Sequence, residues 1–254
     1  MKVVVVSVSN MNQVIIPGRK PRYYNEISAL SVIAGNSNVD PDQYETPPPG
    51  VQHVKVYAFC TETSTITGEN DAEYDLTQYL KFRVFDGAPK INIGFLETYN
   101  ALQWSDQVKP MHLGFEPSLL PAKTEELVNI LENPILPVKA CRIGGWKAGS
   151  SRKVFHTVLY VPKDLCRTAY CGYNINACFD FLKASSHHEV CFKSAYWGGP
   201  CAKDTGSALF CTFFDGGNVF AILTTSINCE MENLPCVYTT MNQVILQYKN
   251  VFGL

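Results

Sequence analysis

Apolar residues along this chain come in short runs broken by turn residues. The runs KVVVVSVS (2–9), QVIIPG (13–18), ALSVIAG (29–35), HVKVYAF (53–59), KFRVF (81–85) and INIGFL (91–96) are rich in Val, Ile, Tyr and Phe. ACRIGGW (140–146), KVFHTVLYV (153–161), SALFCTFF (207–214) and NVFAILTT (218–225) continue the pattern. Runs of this kind predict the many short strands of a sandwich or barrel. Helical periodicity is clear only at the end. In MNQVILQYKNVF (241–252), Val244, Ile245, Tyr248, Val251 and Phe252 fall on one face of a helix. PKDLCRTAY (162–170) predicts a shorter helix, with Pro162 suited to its first turn. TPPPG (46–50) predicts a surface loop. GFEPSLLPAKTEELVNILENPILPVK (114–139) is rich in proline and predicts a connection between two β halves, with one helical turn in AKTEELVNIL. There is no internal repeat.

Composition narrows the classes. A chain of 254 residues makes one large all-β domain or two halves of roughly 120 residues each. Apolar residues make up 46% and charged residues 17%, as in ordinary globular proteins. The net charge of -2 gives no electrostatic case for nucleic acid or an anionic membrane. No run approaches the roughly 20 apolar residues of a membrane span. Ten cysteines, nine of them at or after Cys141, predict a disulfide framework and an oxidising compartment. MKVVVVSVSN lacks the roughly 7–15 apolar residues of a secretory core segment, so the cysteines point to export while the start does not provide it. No paired C-x-x-C, no ligand-spaced His/Cys set and no Gly-rich phosphate loop occurs, so no metal or other cofactor is expected. The adjacent His187 and His188 predict a solvated loop.

The segment CAKDTGSALFC (201–211) sets an Asp-Thr-Gly-Ser core between two cysteines. It resembles the Cys-x-Gly-Asp-Ser-Gly-Gly-Pro-Leu-x-Cys loop of the trypsin-like (chymotrypsin-fold) serine proteases. LPCVYTTMNQVILQY (234–248) resembles that family's Pro-Gly-Val-Tyr strand and C-terminal helix, and CRIGGW (141–146) its Cys-x-x-x-Gly-Trp. VPKDLCRTAY (161–170), WSDQVKPMHL (104–113) and AGNSN (34–38) resemble further family segments, all in the right order. The resemblance implies an all-β fold of two six-stranded antiparallel barrels with a C-terminal helix. It divides the chain into an N-terminal half, 1–120, and a C-terminal half, 121–254. It also implies three disulfides: Cys141–Cys211, Cys166–Cys191 and Cys201–Cys229. The family's disulfide beside the catalytic histidine maps to Val4 and Lys20, so both halves of it are absent together. Cys171–Cys178 would close a short local loop, and Cys60 and Cys236 are left over.

The same resemblance locates the catalytic positions. SVSNMNQVIIPGRK (7–20) puts Arg19 where the family has its histidine. INIGFL (91–96) puts Asn92 at the aspartate, and KDTGSAL (203–209) puts Thr205 at the serine. An arginine stays protonated and cannot act as a general base. An asparagine carries no charge to stabilise an imidazolium, and a threonine adds a methyl group where attack geometry is tight. Losing triad members costs such enzymes on the order of 10⁴- to 10⁶-fold in turnover. Lys203 takes the first glycine of the oxyanion loop. Gly199 lies at the base of the specificity pocket, where no carboxylate awaits a basic side chain. Thr224, Thr225 and Ser226 replace the substrate-binding Ser-Trp-Gly strand; Ser226 would narrow the pocket mouth and Cys236 its back wall. Met1 falls after the point where the family is cleaved for activation, so the first strands are expected to be incomplete. No new N-terminus is then available to pair with Asp204, which is expected to find another partner or stay partly solvated.

These substitutions imply a non-catalytic, secreted serine protease homologue that binds or regulates an unknown protein. Loops 44–50, 114–139 and 171–188 are its candidate contact surfaces. The alternative is a residual hydrolase in which Lys203 activates Thr205. A third reading, a decoy for substrates or inhibitors, needs an open groove that Lys203 and Ser226 argue against.

Overall fold

The structure is a computed structural model. It describes residues 3–7, 31–35, 49–61, 64–67, 93–111, 113, 115–133, 135, 140–146, 153–173, 187–196, 199–201, 204–211, 218–226 and 234–254. Two β units follow one another along the chain. The first is a five-stranded antiparallel sheet of β1 (Val3–Ser7), β2 (Ser31–Ala34), β3 (Gln52–Thr61), β4 (Ser64–Thr67) and β5 (Ile93–Thr98). Its order is β1-β5-β3-β2, with β4 also paired to β3. The runs QVIIPG and KFRVF lie outside the described residues.

The second unit is a closed six-stranded barrel in the order β10-β11-β8-β7-β6-β9. Its strands are β6 (Ala140–Trp146), β7 (Lys153–Val161), β8 (Glu189–Ser194), β9 (Ala208–Phe210), β10 (Val219–Thr225) and β11 (Cys236–Thr240). β6 and β7 keep an unbroken register from Ala140↔Leu159 to Trp146↔Lys153. β10 shifts register against both neighbours, at Val219/Ala221 and at Leu223/Thr225. Such bulges bend a strand and let a short sheet close on itself. Ile143, Val158, Phe192, Leu209, Leu223 and Tyr238 fill the interior.

Among the described residues, three helices cover these sheets. α1 (Leu120–Glu132) is longer than the single turn predicted from the proline-rich 114–139 stretch. Its prolines frame the helix rather than break it: Pro121 sits in the first turn, where its missing N–H costs nothing. Leu127, Val128 and Leu131 pack into the barrel core, while Ala122, Glu125, Glu126 and Asn129 on the other side of the helix are exposed. Burial of one such leucine contributes roughly 1.5–3 kcal/mol. α2 (Lys163–Tyr173) packs on the outside of the barrel, where Cys166 and Tyr170 meet Cys191 and Val237. α3 (Met241–Phe252) ends at Gly253, whose φ of 66° is the left-handed conformation glycine adopts readily. It carries Met241 and Val244 into a second core with Ala58, Ile93 and Phe95 of the first sheet and Val219 and Ile222 of β10. Tyr248 and Phe252 of α3 meet Phe95 edge-on, at 5.5 and 5.9 Å. One helix face thus joins the two β units.

Cys141 is bonded to Cys211 and Cys166 to Cys191. Cys171 and Cys201 are also disulfide-bonded. Cys178 and Cys229, the partners the resemblance gives them, lie outside the described residues. The leftover pair is not joined: Cys236 keeps its thiol in the barrel, and Cys60 is buried in the core shared with α3.

Candidate functional site

The site is built from the turn before β9, the end of β10 and the start of β11. The turn is closed by reciprocal bonds. Asp204 N–H donates to Cys201 O at 2.9 Å, and Cys201 N–H donates to Asp204 Oδ2 at 2.8 Å. Ser207 N–H donates to Asp204 O at 3.0 Å. The turn is then stitched to β10: Gly206 N–H donates to Leu223 O at 2.7 Å, and Leu223 N–H to Ser207 O at 2.9 Å. Gly206 has φ +94°, a conformation that L side chains rarely adopt. Asp204 is 1% exposed and Thr205 7%. The carboxylate therefore takes the first of its two expected courses: it is buried and has a backbone donor.

The pocket positions are drawn together. Ser226 Oγ–H donates to Pro200 O at 3.0 Å, and the Cys236 thiol points at the same carbonyl at 3.8 Å. The Pro200 carbonyl thus ties the end of β10 to the start of β11. Gly199 lies behind them. A Cβ there would meet Ser194 Cβ at 2.6 Å, so neither an aspartate nor an alanine fits. Ser194 is itself held, donating from Oγ to Tyr196 O. Burial pushes the Cys236 thiol up to about 11, and a hydrogen bond with Ser226 only partly offsets it. The thiol is protonated at neutral pH and is no nucleophile. Thr224 is turned into the barrel, donating to Val237 O at 3.2 Å and accepting from the Thr239 hydroxyl at 3.2 Å. Thr225 pairs with Val237 across the bulge.

Arg19, Asn92 and Lys203 lie outside the described residues, so of the three triad positions only Thr205 is placed. Of the placed positions, Ser226 and Cys236 both reach the Pro200 carbonyl next to Gly199, and Asp204 lies near enough to Cys236 to act on its thiol. Two residues absent from the sequence reading join them. Pro200 supplies the carbonyl that Ser226 and Cys236 both reach. His156, on β7, lies against Asp204. His187 is half-buried, with Nδ1 shut away from water, where a solvated loop was predicted; its backbone O accepts from Thr240 Oγ1 at 3.1 Å. Among the described residues no cluster of His, Cys, Asp and Glu could hold a metal, and no helix is long and apolar enough to cross a membrane.

No protein-family model matches this chain. No curated protein matches it. Among solved structures, the crystal structure of the scabies mite inactivated protease paralogue S-D1 matches with a TM-score of 0.58 at 14% identity. The match covers 99% of this chain and 83% of that one. Identity at this level shows the fold alone. The fold is chymotrypsin-like: a closed six-stranded barrel, a second β sheet and a C-terminal helix.

Proposed function

We propose that this chain is a non-catalytic serine protease homologue, secreted and acting by binding another protein. The observation that carries this reading is the hydrogen bond from Ser226 to Pro200 across the pocket. A trypsin-like enzyme needs that space for the side chain that fixes its substrate, and positioning supplies much of its rate. The burial of Thr205 and the protonated state of Cys236 support the same reading, since neither presents a ready nucleophile. The substitutions at Arg19 and Asn92 remove the base and its orienting charge in the proposed alignment. The structural neighbour bears the name of an inactivated protease, which agrees. Disulfides in a chymotrypsin-like fold support an extracellular home.

In this reading the two halves, 1–120 and 121–254, are a scaffold, and the partner contacts loops 44–50, 114–139 and 171–188. The test is hydrolysis of a mixed-sequence peptide library by purified, disulfide-intact protein, with Thr205→Ala as the reference. The expected result is no turnover above that reference. Turnover in the wild type that Thr205→Ala abolishes would overturn the proposal in favour of a hydrolase using Thr205.

A further inference from the structure

His156 and Asp204 meet over the bare backbone of Gly145. A Cβ on Gly145 would lie 3.1 Å from Asp204 Cγ, 3.2 Å from its Oδ1 and 3.1 Å from His156 Cδ2. A Cβ there would press on both groups more tightly than ordinary contact, and the glycine leaves them that space. His156 Nε2 is buried and has no hydrogen-bond partner. A neutral ring tolerates this seat, because an unprotonated Nε2 is an acceptor whose burial costs little. A proton on Nε2 would bury a charged donor that makes no hydrogen bond in this seat, and the nearby Asp204 carboxylate offsets only part of that cost. The seat adjoins the turn that Asp204 closes through Cys201 N–H, so whatever moves the ring moves the support of that turn.

We propose that His156 is an acid-sensitive switch on the 201–207 turn: neutral, it seats against Gly145 and Asp204; charged, it leaves that seat and the turn loosens. Two effects compete. Burial lowers the proton affinity of His156, the Asp204 carboxylate raises it, and burial is the larger, so the net displacement is downward. The other neighbours do not reverse this. On β6, Ile143 stands opposite His156, and Arg142 beside it is exposed. From the β8 end, Ala195 donates its N–H to Thr157 O, and Lys193 is exposed. Lys153, on the same strand as His156, is exposed as well. From β11 the Cys236 thiol and Tyr238 phenol face Asp204, and burial keeps both uncharged through the acid range. A histidine whose folded affinity for protons lies below its unfolded value gives stability that is complete above about pH 6.5. That stability is lost as pH falls through and below that value.

The test compares wild type with His156→Leu and His156→Gln by urea unfolding at pH 7.5 and pH 5.0, all disulfides intact. His188→Gln is carried as a control, because burial lowers His188 too. Contributions shared by all the chains cancel in the comparison. The unfolding constant of the wild type should rise between the two pH values by at least about threefold more than that of either His156 variant. The proton resonance of the His156 ring should titrate below the ordinary histidine range, and lower still in Asp204→Asn. Exchange protection of the Cys201 and Gly206 amides should fall at pH 5.0 in the wild type and hold in His156→Leu. A titration midpoint at or above the ordinary value would overturn the proposal. So would equal acid slopes in wild type and His156 variants, or turn amides that stay protected while His156 becomes charged.

Discussion

Single atoms decide the shape of the pocket wall. Gly199 has Ser194 Cβ only 2.6 Å from where its own Cβ would stand. Gly199→Ala should therefore destabilise the protein by about 1–3 kcal/mol, since the nearest atom is the Ser194 Cβ, which is fixed to the β8 backbone and cannot swing away. Urea unfolding measures this, and Ser194→Gly in the same chain should recover part of the loss, a non-additivity expected of residues in contact. A Gly199→Ala protein as stable as wild type would mean the wall gives way. The sequence hinted at some of this. Ser226 and Cys236 could be singled out, because recognisable segments on either side fix their positions, and both reach the Pro200 carbonyl. The Pro200 carbonyl that Ser226 reaches is 26 residues away and carries no side-chain signal. His156 was hidden in the run KVFHTVLYV, where a lone histidine looks like one more strand residue. Only the fold brings it to Asp204.

Among the helices, α3 was readable and α1 was not. The face of α3 repeats at the helical period and Gly253 closes it, so pattern and cap agree. In α1 the apolar positions Leu120, Leu127, Val128 and Leu131 also share a face, but four prolines nearby mimic a loop. Tertiary packing decides the matter: Leu127, Val128 and Leu131 complete the barrel core, and Leu120 joins the core shared with α3. Leu127→Ala should cost 2–5 kcal/mol, a typical price for emptying a packed core site. Lys123→Ala on the same helix should change stability by less than about 0.5 kcal/mol, because its ion pair with Glu126 at 2.9 Å is on the surface. Thermal or urea unfolding separates the two, and a small effect at Leu127 would place α1 outside the core.

Taken whole, the molecule has a chymotrypsin-like scaffold, and the proposed function rests on the residues set at its pocket positions. The barrel, its disulfides and the helix that joins the two cores are those of a chymotrypsin-like fold, and the order of motifs along the chain announced it. A second charged cluster lies away from the pocket. Glu132, at the end of α1, accepts from Tyr160 Oη–H and from Lys163 N–H at 3.5 Å. Burial pushes Glu189 up to about 7, with Lys163 pulling the other way. A carboxyl raised above its unfolded value binds its proton more tightly when folded. Its contribution to stability is complete below about pH 4.5 and lost as pH rises through 7. Glu189→Gln should flatten the decline in stability between pH 5 and pH 8, read from urea midpoints. An unchanged slope would mean that Glu189 is solvated and ordinary.

The central claim is that this fold no longer holds a working nucleophile. The direct measurement is fluorophosphonate labelling of the disulfide-intact protein, read by intact mass and peptide mapping. The account predicts no adduct at Thr205. Stoichiometric modification of Thr205 would contradict it, and would mean that a base near the 201–207 turn activates that hydroxyl after all.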